Sequence, residues 1–302
     1  MILNAPACVP TLAWKHSGVV SHPHFADLVM HSDDELGEML GVGVVERQTI
    51  HEWPLSWVQR LVLADETKLI YKSQLPPTVE PQFYARGLSP LLPRHRDLGT
   101  LGHCHLMTIE WIDAPLLRDV AHDENELVSH GKRVLAEIGE IRGELPVWLD
   151  VGSVEAFSLA VERTLEKLKK LLLEGQFQFN RANIVERVRT WSQSSTVAAV
   201  IGKQPRLFHG DLKANQVFVI ANGYRVIDWQ RPIIGPPEVD LVSLLVGERV
   251  DPRRVVDAPT IGIYWFLLLY WAVEAQSDVF PDYRGPLFNQ WSDRSIRHLL
   301  SR

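Results

Sequence analysis

The sequence predicts an α+β fold, with a small, mostly antiparallel sheet lobe followed by a larger and mostly helical lobe. Two observations lead to this prediction. Short, apolar, strand-like runs dominate the sequence up to residue 112, and one pair of them is separated by a tight turn. After Asp113, apolar residues recur at helical spacing over long segments. We therefore divide the chain into a sheet lobe, 1–112, and a helical lobe, 113–302.

The sheet lobe begins with a helix and three strand-like runs. The segment HSDDELGEMLG, residues 31–41, predicts a short helix with Ser32 as its N-cap and Glu35 three residues further on. The turn Asp-Glu-Thr predicts that the second and third strands pair as a hairpin. A helix is expected to begin within EPQFYARGLSPLL. The four strand-like runs of this lobe cover residues 42–50, 57–65, 68–75 and 103–112.

The helical lobe is predicted from long amphipathic segments. The most apolar run, Ile261–Val273, is too short to span a bilayer and is followed by Glu274, so we expect a buried helix. A second hairpin, described below, interrupts the helices. The amphipathic helical segments cover residues 123–145, 155–175 and 183–195.

Composition and charge exclude several classes of protein. The 302 residues are 46% hydrophobic, which suffices for a large core. The net charge of −6 gives no basic excess of the kind that indicates a nucleic-acid or membrane partner. Cys8 and Cys104, far apart in sequence, favour a reducing compartment, and the first residues lack the pattern of a signal peptide. We expect a cytoplasmic protein, whose oligomeric state stays open.

Two carboxylates flank the predicted second hairpin. Its strands, QVFVIA and YRVIDW, are joined by Asn222-Gly223, a sequence typical of a type I′ turn. Counting outward from that turn places Val217 opposite Asp228, and so brings Asp228 beside the segment that begins at Asp211. Carboxylate and amide oxygens are ligands that suit Mg²⁺. The hairpin therefore predicts a magnesium site.

The segment around this hairpin resembles a known family. His209-Gly210-Asp211, then Leu212-Lys213, an amide, VFV, and finally Ile227-Asp228-Trp229 are similar to the aminoglycoside phosphotransferase and choline kinase group. These proteins are small-molecule kinases with a protein-kinase-like fold of two lobes. The resemblance follows the chain over roughly residues 40–290, although only residues 209–240 are specific by themselves.

The resemblance implies a role for several residues. Asp211 would orient the attacking hydroxyl or accept its proton, and Lys213 would add positive charge at the transferring phosphoryl group. Asp228 would hold Mg²⁺. Lys72 would bind the phosphates of ATP, with Glu80 as the residue that orients it.

Further residues follow from the same resemblance. The segment Met107–Asp113, which includes Glu110 and Ile112, is similar to the hinge over which adenine lies. His209 and Asp240 are expected to be structural, with Asp240 accepting hydrogen bonds from backbone N–H groups.

Two features depart from the family pattern. The position of the family's metal-binding amide, five residues after Asp211, holds Gln216, and Asn215 precedes it. The alignment favours Gln216 as the ligand, whereas the hairpin register places Asn215 on the same face as Asp228. The segment His51–Trp57, where a glycine-rich phosphate loop is usual, contains no glycine, so only its backbone amides are candidates for phosphate binding.

These residues predict an ATP- and Mg²⁺-dependent phosphotransferase that acts on a hydroxyl of a small molecule, such as an antibiotic, an amino alcohol or a sugar. A cationic antibiotic would require a group of carboxylates, for which Asp278, Asp282 and Asp293 are candidates, although scattered surface acids are the simpler interpretation. The alternative function is an inactive, kinase-like nucleotide-binding module that acts through a binding partner. A protein kinase is disfavoured, since Asp228 begins no Asp-Phe-Gly sequence.

Overall fold

The computed structural model describes residues 18–179 and 183–301, which form two compact units. The sheet unit consists of residues 18–76 and 94–111, and the helical unit of residues 77–93 together with the described residues from 112 onward. One boundary thus lies between Trp111 and Ile112. Residues 77–93, which the sequence-based division assigns to the sheet lobe, group with the helical unit because their backbone bonds to it: the amide of Val79 donates to Gln230 O at 3.2 Å.

A five-stranded antiparallel sheet forms most of the sheet unit. The elements of the unit are β1 (Val19–Ser21), β2 (Val29–His31), α1 (Asp33–Leu40), β3 (Val44–Trp53), β4 (Ser56–Leu63), β5 (Lys68–Gln74), β6 (His95–Leu101) and β7 (Cys104–Glu110). The strand order of the sheet is β3-β4-β5-β7-β6, and a small hairpin, β1-β2, and helix α1 precede it. Strand β6 and the small hairpin were not predicted from the sequence.

The predicted ends of α1 and the β4–β5 hairpin are confirmed. The side chain of Ser32 accepts a hydrogen bond from the amide of Glu35 at 3.3 Å, and α1 ends at Gly41, whose left-handed φ of 78° suits glycine. Strands β4 and β5 pair antiparallel, from Ser56 opposite Gln74 to Val62 opposite Lys68. These local signals are read correctly because capping and tight turns depend on residues close together in the sequence.

One face of the sheet carries the core of this unit. Leu28, Met30 and Leu36, from the segments that precede β3, are fully buried and pack with Leu61 and Tyr71 of the sheet. Within the glycine-free segment, Pro54-Leu55 is a two-residue turn between β3 and β4. Because Ser56 and Trp57 pair with β3 on one side and β5 on the other, these two residues belong to the sheet rather than to an open loop.

The helical unit contains the predicted amphipathic helices together with several shorter elements. Most of its core lies around the predicted apolar helix. In chain order the elements are α2 (Glu80–Arg86), α3 (Leu117–Val120), α4 (Glu124–Ile138), β8 (Leu149–Asp150), α5 (Val154–Leu173), α6 (Ile184–Ser192), α7 (Ser195–Ile201), β9 (Arg206–Phe208), β10 (Val217–Ile220), β11 (Gly223–Val226), β12 (Ile233–Gly235), α8 (Glu238–Gly247), a 3-10 turn (Pro252–Arg254), α9 (Ala258–Glu274), a π-helical turn (Ala275–Val279) and α10 (Leu287–Leu300).

Helix α9 is longer than the apolar run from which it was predicted. Asp257 caps its first turn by accepting a hydrogen bond from the amide of Thr260 at 2.8 Å, and the π-helical turn extends its end. The resulting helix, Ala258–Val279, has the length and composition of a membrane span, with a mean hydropathy of 1.2. Its most apolar window is 61% buried inside the unit, as expected for the predicted core helix.

The register of the second hairpin differs from the prediction. Val217 pairs with Val226 and Ile220 with Gly223, so the turn consists of Ala221 and Asn222. The prediction that Val217 faces Asp228 is therefore wrong by two residues. The register differs because Gly223 begins the returning strand instead of completing the turn. Its φ of 133° is one that other residues rarely adopt.

Candidate active site

Asp211 lies in a loop between β9 and β10, which we call the Asp211 loop (residues 209–216). Gly210 has a φ of 87°, and a Cβ atom at this position would lie 2.4 Å from Arg231 O. No other residue fits this approach without displacing backbone. The chain therefore requires glycine directly before Asp211.

Asp240, on α8, holds the start of the Asp211 loop. Its carboxylate accepts hydrogen bonds from the amides of His209 at 2.6 Å and Gly210 at 3.0 Å. The side chain is fully buried, and this burial raises the pKa of Asp240 to about 6, against the opposing effects of His209 and the two backbone donors. The predicted role of Asp240 as an acceptor for backbone N–H groups is confirmed, although the donors come from the loop and not from its own helix.

His209 packs against residues 227–229, the segment that carries Asp228. Its Nε2 atom lies 3.0 Å from Ile227 O, and its ring lies 4.7 Å from that of Trp229. Trp229 is fully buried, stacks on Phe83 at 4.4 Å and donates from Nε1 to Val226 O. These contacts fix the segment that carries Asp228 against the Asp211 loop.

The Asp211 carboxylate is accessible and lies between two cations. Its side chain is 48% exposed, with Oδ1 at 3.1 Å from Lys213 Nζ and Oδ2 at 3.8 Å from Arg231 Nη2. Lys213 Nζ also donates to Ser243 Oγ at 2.7 Å and lies over the ring of Tyr264. Burial lowers the pKa of Lys213, whereas the nearby Asp211 and Tyr264 raise it, and together the raising effects are the larger. The pKa of Lys213 is therefore above its usual value, and the ammonium group stays charged.

Sequence reasoning missed Arg231. Its guanidinium group stacks on Trp271 at 3.9 Å from the ring centroid and lies 6.0 Å from that of Trp148. Burial lowers the pKa of Arg231, and Asp211 and Asp228 act in the opposite direction. The sequence feature that could have indicated Arg231 is its position three residues after Asp228. The two tryptophans that hold it are too distant in the sequence to be associated with it.

Asp228 occupies a left-handed backbone conformation, with a φ of 74°. Its Oδ2 accepts a hydrogen bond from Gln216 Nε2 at 3.1 Å, and its Oδ1 accepts one from Gln230 Nε2 at 2.9 Å. Its backbone amide donates to Tyr84 Oη at 3.2 Å. Because non-glycine residues rarely adopt this conformation, these contacts are needed to hold the carboxylate in place.

Gln216, and not the exposed Asn215, contacts Asp228. The register argument, which places Asn215 and not Gln216 on the face of Asp228, is wrong here because Asp228 leaves the extended backbone that the argument assumes. The contact agrees with the alignment, which favours Gln216. Gln216 Oε1 accepts a hydrogen bond from the amide of Lys213 at 2.7 Å, so the side chain joins Asp228 to the Asp211 loop.

The Asp228 carboxylate fits a magnesium ion by the chemistry of its oxygens. Mg²⁺ in phosphotransfer sites uses one or two carboxylates and takes its other ligands from water and phosphate. Within residues 18–179 and 183–301, no group of three or more His, Cys, Asp or Glu residues forms a metal site of protein ligands alone. Asp228, with Gln216 beside it, is thus suited to an ion that is shared with a phosphate.

Glu80 and Tyr84 lie on α2, in the helical unit. Glu80 is the first residue of α2, is fully buried, and hydrogen-bonds to the side chain of Tyr84. Burial raises the pKa of the Tyr84 hydroxyl well above its usual value, and the nearby Glu80 and Asp228 raise it further. Tyr84 therefore links Glu80 to the backbone of Asp228.

The predicted nucleotide-binding residues of the sheet unit lie on its central strands. Lys72, on β5, is 5% exposed and is flanked by Val58 of β4 and Met107 of β7. Glu110 ends β7 and accepts hydrogen bonds from the backbone and the guanidinium group of Arg94, at 3.0 and 2.7 Å. Ile112 is the first residue of the helical unit after the sheet. The roles of these residues in nucleotide binding stay predictions.

Comparison with known proteins identifies relatives of the whole fold. The chain is similar to a thermostable mutant of aminoglycoside phosphotransferase APH(4)-Ia, at 14% identity over 90% of this chain and 100% of that one, with a TM-score of 0.59. A choline/ethanolamine kinase family protein from Mesorhizobium loti is 12% identical over 84% of this chain and 87% of that one, with a TM-score of 0.59.

A third similar structure is that of spectinomycin phosphotransferase APH(9)-Ia in complex with ADP and spectinomycin. It is 13% identical over 88% of this chain and 93% of that one, with a TM-score of 0.51. At this level of identity the structures show a shared kinase-like α+β fold of two lobes. No curated protein matches the sequence.

A family model adds what the distant structures alone do not show. The model of the phosphotransferase enzyme family matches residues 79–265, which are more than half of the chain and include the Asp211 loop, Asp228 and Asp240. The chain therefore belongs to the phosphotransferase enzyme family and is a small-molecule phosphotransferase.

Proposed function

We propose that the protein transfers the γ-phosphoryl group of ATP, with Mg²⁺, to a hydroxyl group of a small molecule. The observation that supports this most directly is the accessible Asp211 carboxylate, held between Lys213 and Arg231, in the same unit as the constrained Asp228. Phosphoryl transfer needs a positioned carboxylate and compensation of charge rather than covalent catalysis, and these residues offer both.

Asp211 would orient the acceptor hydroxyl and accept its proton. Its partial exposure leaves room for an acceptor, while Lys213 and Arg231 restrict the orientation of the carboxylate. Lys213 would also stabilise negative charge on the group in transfer. Its raised pKa keeps it cationic at neutral pH.

Asp228 would hold the magnesium ion, with Gln216 as the neighbouring amide and Asn215 as the alternative. When bound, the ion would neutralise charge on the β- and γ-phosphates. The ADP in the spectinomycin phosphotransferase structure supports a nucleotide site in this fold. Lys72, Glu80, Glu110 and Ile112 keep the nucleotide-binding roles that the resemblance implies.

The net charge of −6 and the two widely separated cysteines support a cytoplasmic enzyme that has no nucleic-acid or membrane partner.

Release of ADP from ATP, measured with and without Mg²⁺ against a panel of hydroxyl compounds, tests the proposed function. We expect ADP release that requires both Mg²⁺ and an acceptor, together with a phosphorylated product detectable by mass spectrometry. Binding of ATP without transfer to any acceptor would contradict the proposal, and would favour the nucleotide-binding module that acts through a partner.

A further inference from the structure

The half-exposed side of α9 and its neighbour Trp148 form an aromatic surface beside Asp211. Trp148 packs edge-on against Tyr270 at 5.4 Å and against Trp271 at 6.0 Å, and Tyr264 lies one to two turns earlier on α9. We call Trp148, Tyr264, Tyr270 and Trp271 the aromatic wall. All four side chains are half-buried, whereas Trp265, on the opposite side of α9, is 4% exposed and belongs to the core.

The aromatic wall adjoins Asp211 through two cations. Lys213 Nζ lies 5.8 Å from the ring centroid of Tyr264 and 3.1 Å from Asp211 Oδ1. The Arg231 guanidinium group covers a face of Trp271 at 3.9 Å and lies 3.8 Å from Asp211 Oδ2. An acceptor bound at Asp211 would therefore lie close to both cations and to the wall.

The three acids considered from the sequence for a cationic acceptor are ion-paired, as is Glu274 beside Asp278. Lys167 Nζ lies 2.7 Å from both Glu274 and Asp278, at the end of the wall near Tyr270. The other two acids considered from the sequence are also paired, Asp282 with Arg284 and Asp293 with Arg297.

These observations point to one class of acceptor. We propose that the acceptor carries an aromatic or apolar ring next to its hydroxyl group and no positive charge, and that the ring packs on the aromatic wall. This inference rests on the proposed function, because it assumes that Asp211 receives the acceptor. A quaternary ammonium group would lie next to the like charges of Lys213 and Arg231, and Arg231 already occupies one face of Trp271. A polycationic antibiotic would meet Lys213 and Arg231 without a free carboxylate among the acids named above.

Binding of three phenyl glycosides that are similar in shape and differ in charge tests the acceptor class without any need for turnover. The probes are phenyl β-D-glucopyranoside, which is uncharged, phenyl β-D-glucuronide, which is anionic, and phenyl 2-amino-2-deoxy-β-D-glucopyranoside, which is cationic; kanamycin A serves as a polycationic probe. Calorimetry on the full-length protein should show at least about tenfold weaker binding for the two cationic probes than for the other two.

Variants assign the preference to the named residues. Trp148→Ala should weaken binding of the uncharged probe about tenfold. Trp291→Ala, which changes a half-buried tryptophan of α10 that packs on Phe288, should leave it unchanged. Arg231→Met should reduce the difference between the glucuronide and the amino glycoside, and Glu274→Gln should leave the order of the four probes unchanged.

Three results would overturn the inference: tightest binding by either cationic probe, no binding by any phenyl glycoside at about 10 mM, or equal losses in Trp148→Ala and Trp291→Ala. Since this readout needs no nucleotide, its failure alongside intact ATP-dependent transfer counts against the acceptor class alone. A failure to bind ATP, with the expected order of the four probes, counts against the proposed function and not against the binding preference of the aromatic wall.

Discussion

At the residue scale, the start of the Asp211 loop is held by the fully buried carboxylate of Asp240. Its carboxylate accepts two backbone hydrogen bonds from the loop. The free-energy cost of burying its negative charge is larger than the stabilisation of that charge by the two hydrogen bonds, so the pKa of Asp240 is raised to about 6. The geometry next to Asp211 is therefore maintained against an electrostatic penalty. Gly210 adds a second constraint, because its backbone approaches Arg231 too closely for any side chain.

The raised pKa of Asp240 predicts a pH dependence of stability. The folded state binds this proton more tightly than the unfolded state, whose aspartate titrates near 3.8. The contribution of Asp240 to the free energy of unfolding is therefore largest below pH 4 and falls as the pH rises to about 6. The stability of the wild type relative to Asp240→Asn should fall by about 2–3 kcal/mol between pH 3.5 and pH 7, by urea unfolding. A difference that is constant or rises over this range would contradict the raised pKa.

The contacts of Asp228 predict an order among three variants. Asp228→Ala removes a charged oxygen ligand and should raise the Mg²⁺ concentration for half-maximal activity the most. Gln216→Ala should raise it less, because it removes the amide that joins Asp228 to the Asp211 loop. Asn215→Ala should have the smallest effect, since its side chain is exposed. A magnesium titration of each variant provides the measurement. A larger effect in Asn215→Ala than in Gln216→Ala would contradict this order and would assign the neighbouring amide of the metal site to Asn215.

At the scale of elements, the β10–β11 hairpin shows which features can be predicted from the sequence. Its existence and the proximity of Asp228 to the Asp211 loop follow from local apolar runs and turn residues. Its register does not, because Asn222-Gly223 also suits a turn in which glycine begins the next strand. The position of Arg231 depends on Trp148 and Trp271, which reach it only through tertiary packing. Residues 77–93 join the helical unit for the same reason.

The observed register predicts different costs at two adjacent positions. Gly223 has a φ of 133°, so Gly223→Ala should destabilise the protein by about 1–3 kcal/mol. Asn222 is an exposed turn residue outside the left-handed region, and Asn222→Ala should change stability by less than about 0.5 kcal/mol. Urea unfolding measures both variants. Comparable losses in the two would support the type I′ turn instead.

At the scale of the whole molecule, the two units differ in what they contribute. The helical unit contains Asp211, Lys213, Asp228 and Asp240, and thus the groups proposed for transfer. The sheet unit contains Lys72 on a central strand, where its side chain is almost fully buried. The sequence predicts this division because each lobe has its own periodicity of apolar residues, with period two in the strands and helical spacing in the helices.

Lys72→Ala tests the contribution of the sheet unit. Loss of a cation that binds phosphates should reduce the thermal stabilisation by ATP·Mg²⁺ and leave that by adenosine unchanged, because adenosine has no phosphates. Lys68→Ala, at the exposed start of the same strand, is the matched control and should behave as the wild type. An unchanged shift with ATP·Mg²⁺ in Lys72→Ala would exclude Lys72 from the phosphate site.

The central claim is that Asp211 acts on the acceptor hydroxyl during transfer, and Asp211→Asn tests it most directly. The substitution preserves the size of the side chain and removes its ability to accept a proton. The transfer rate at saturating ATP, Mg²⁺ and acceptor should fall by about a hundredfold to ten-thousandfold, while the dissociation constant of ATP·Mg²⁺ by calorimetry should stay within about threefold of that of the wild type. An undiminished transfer rate in Asp211→Asn, with the same acceptor, would contradict the account.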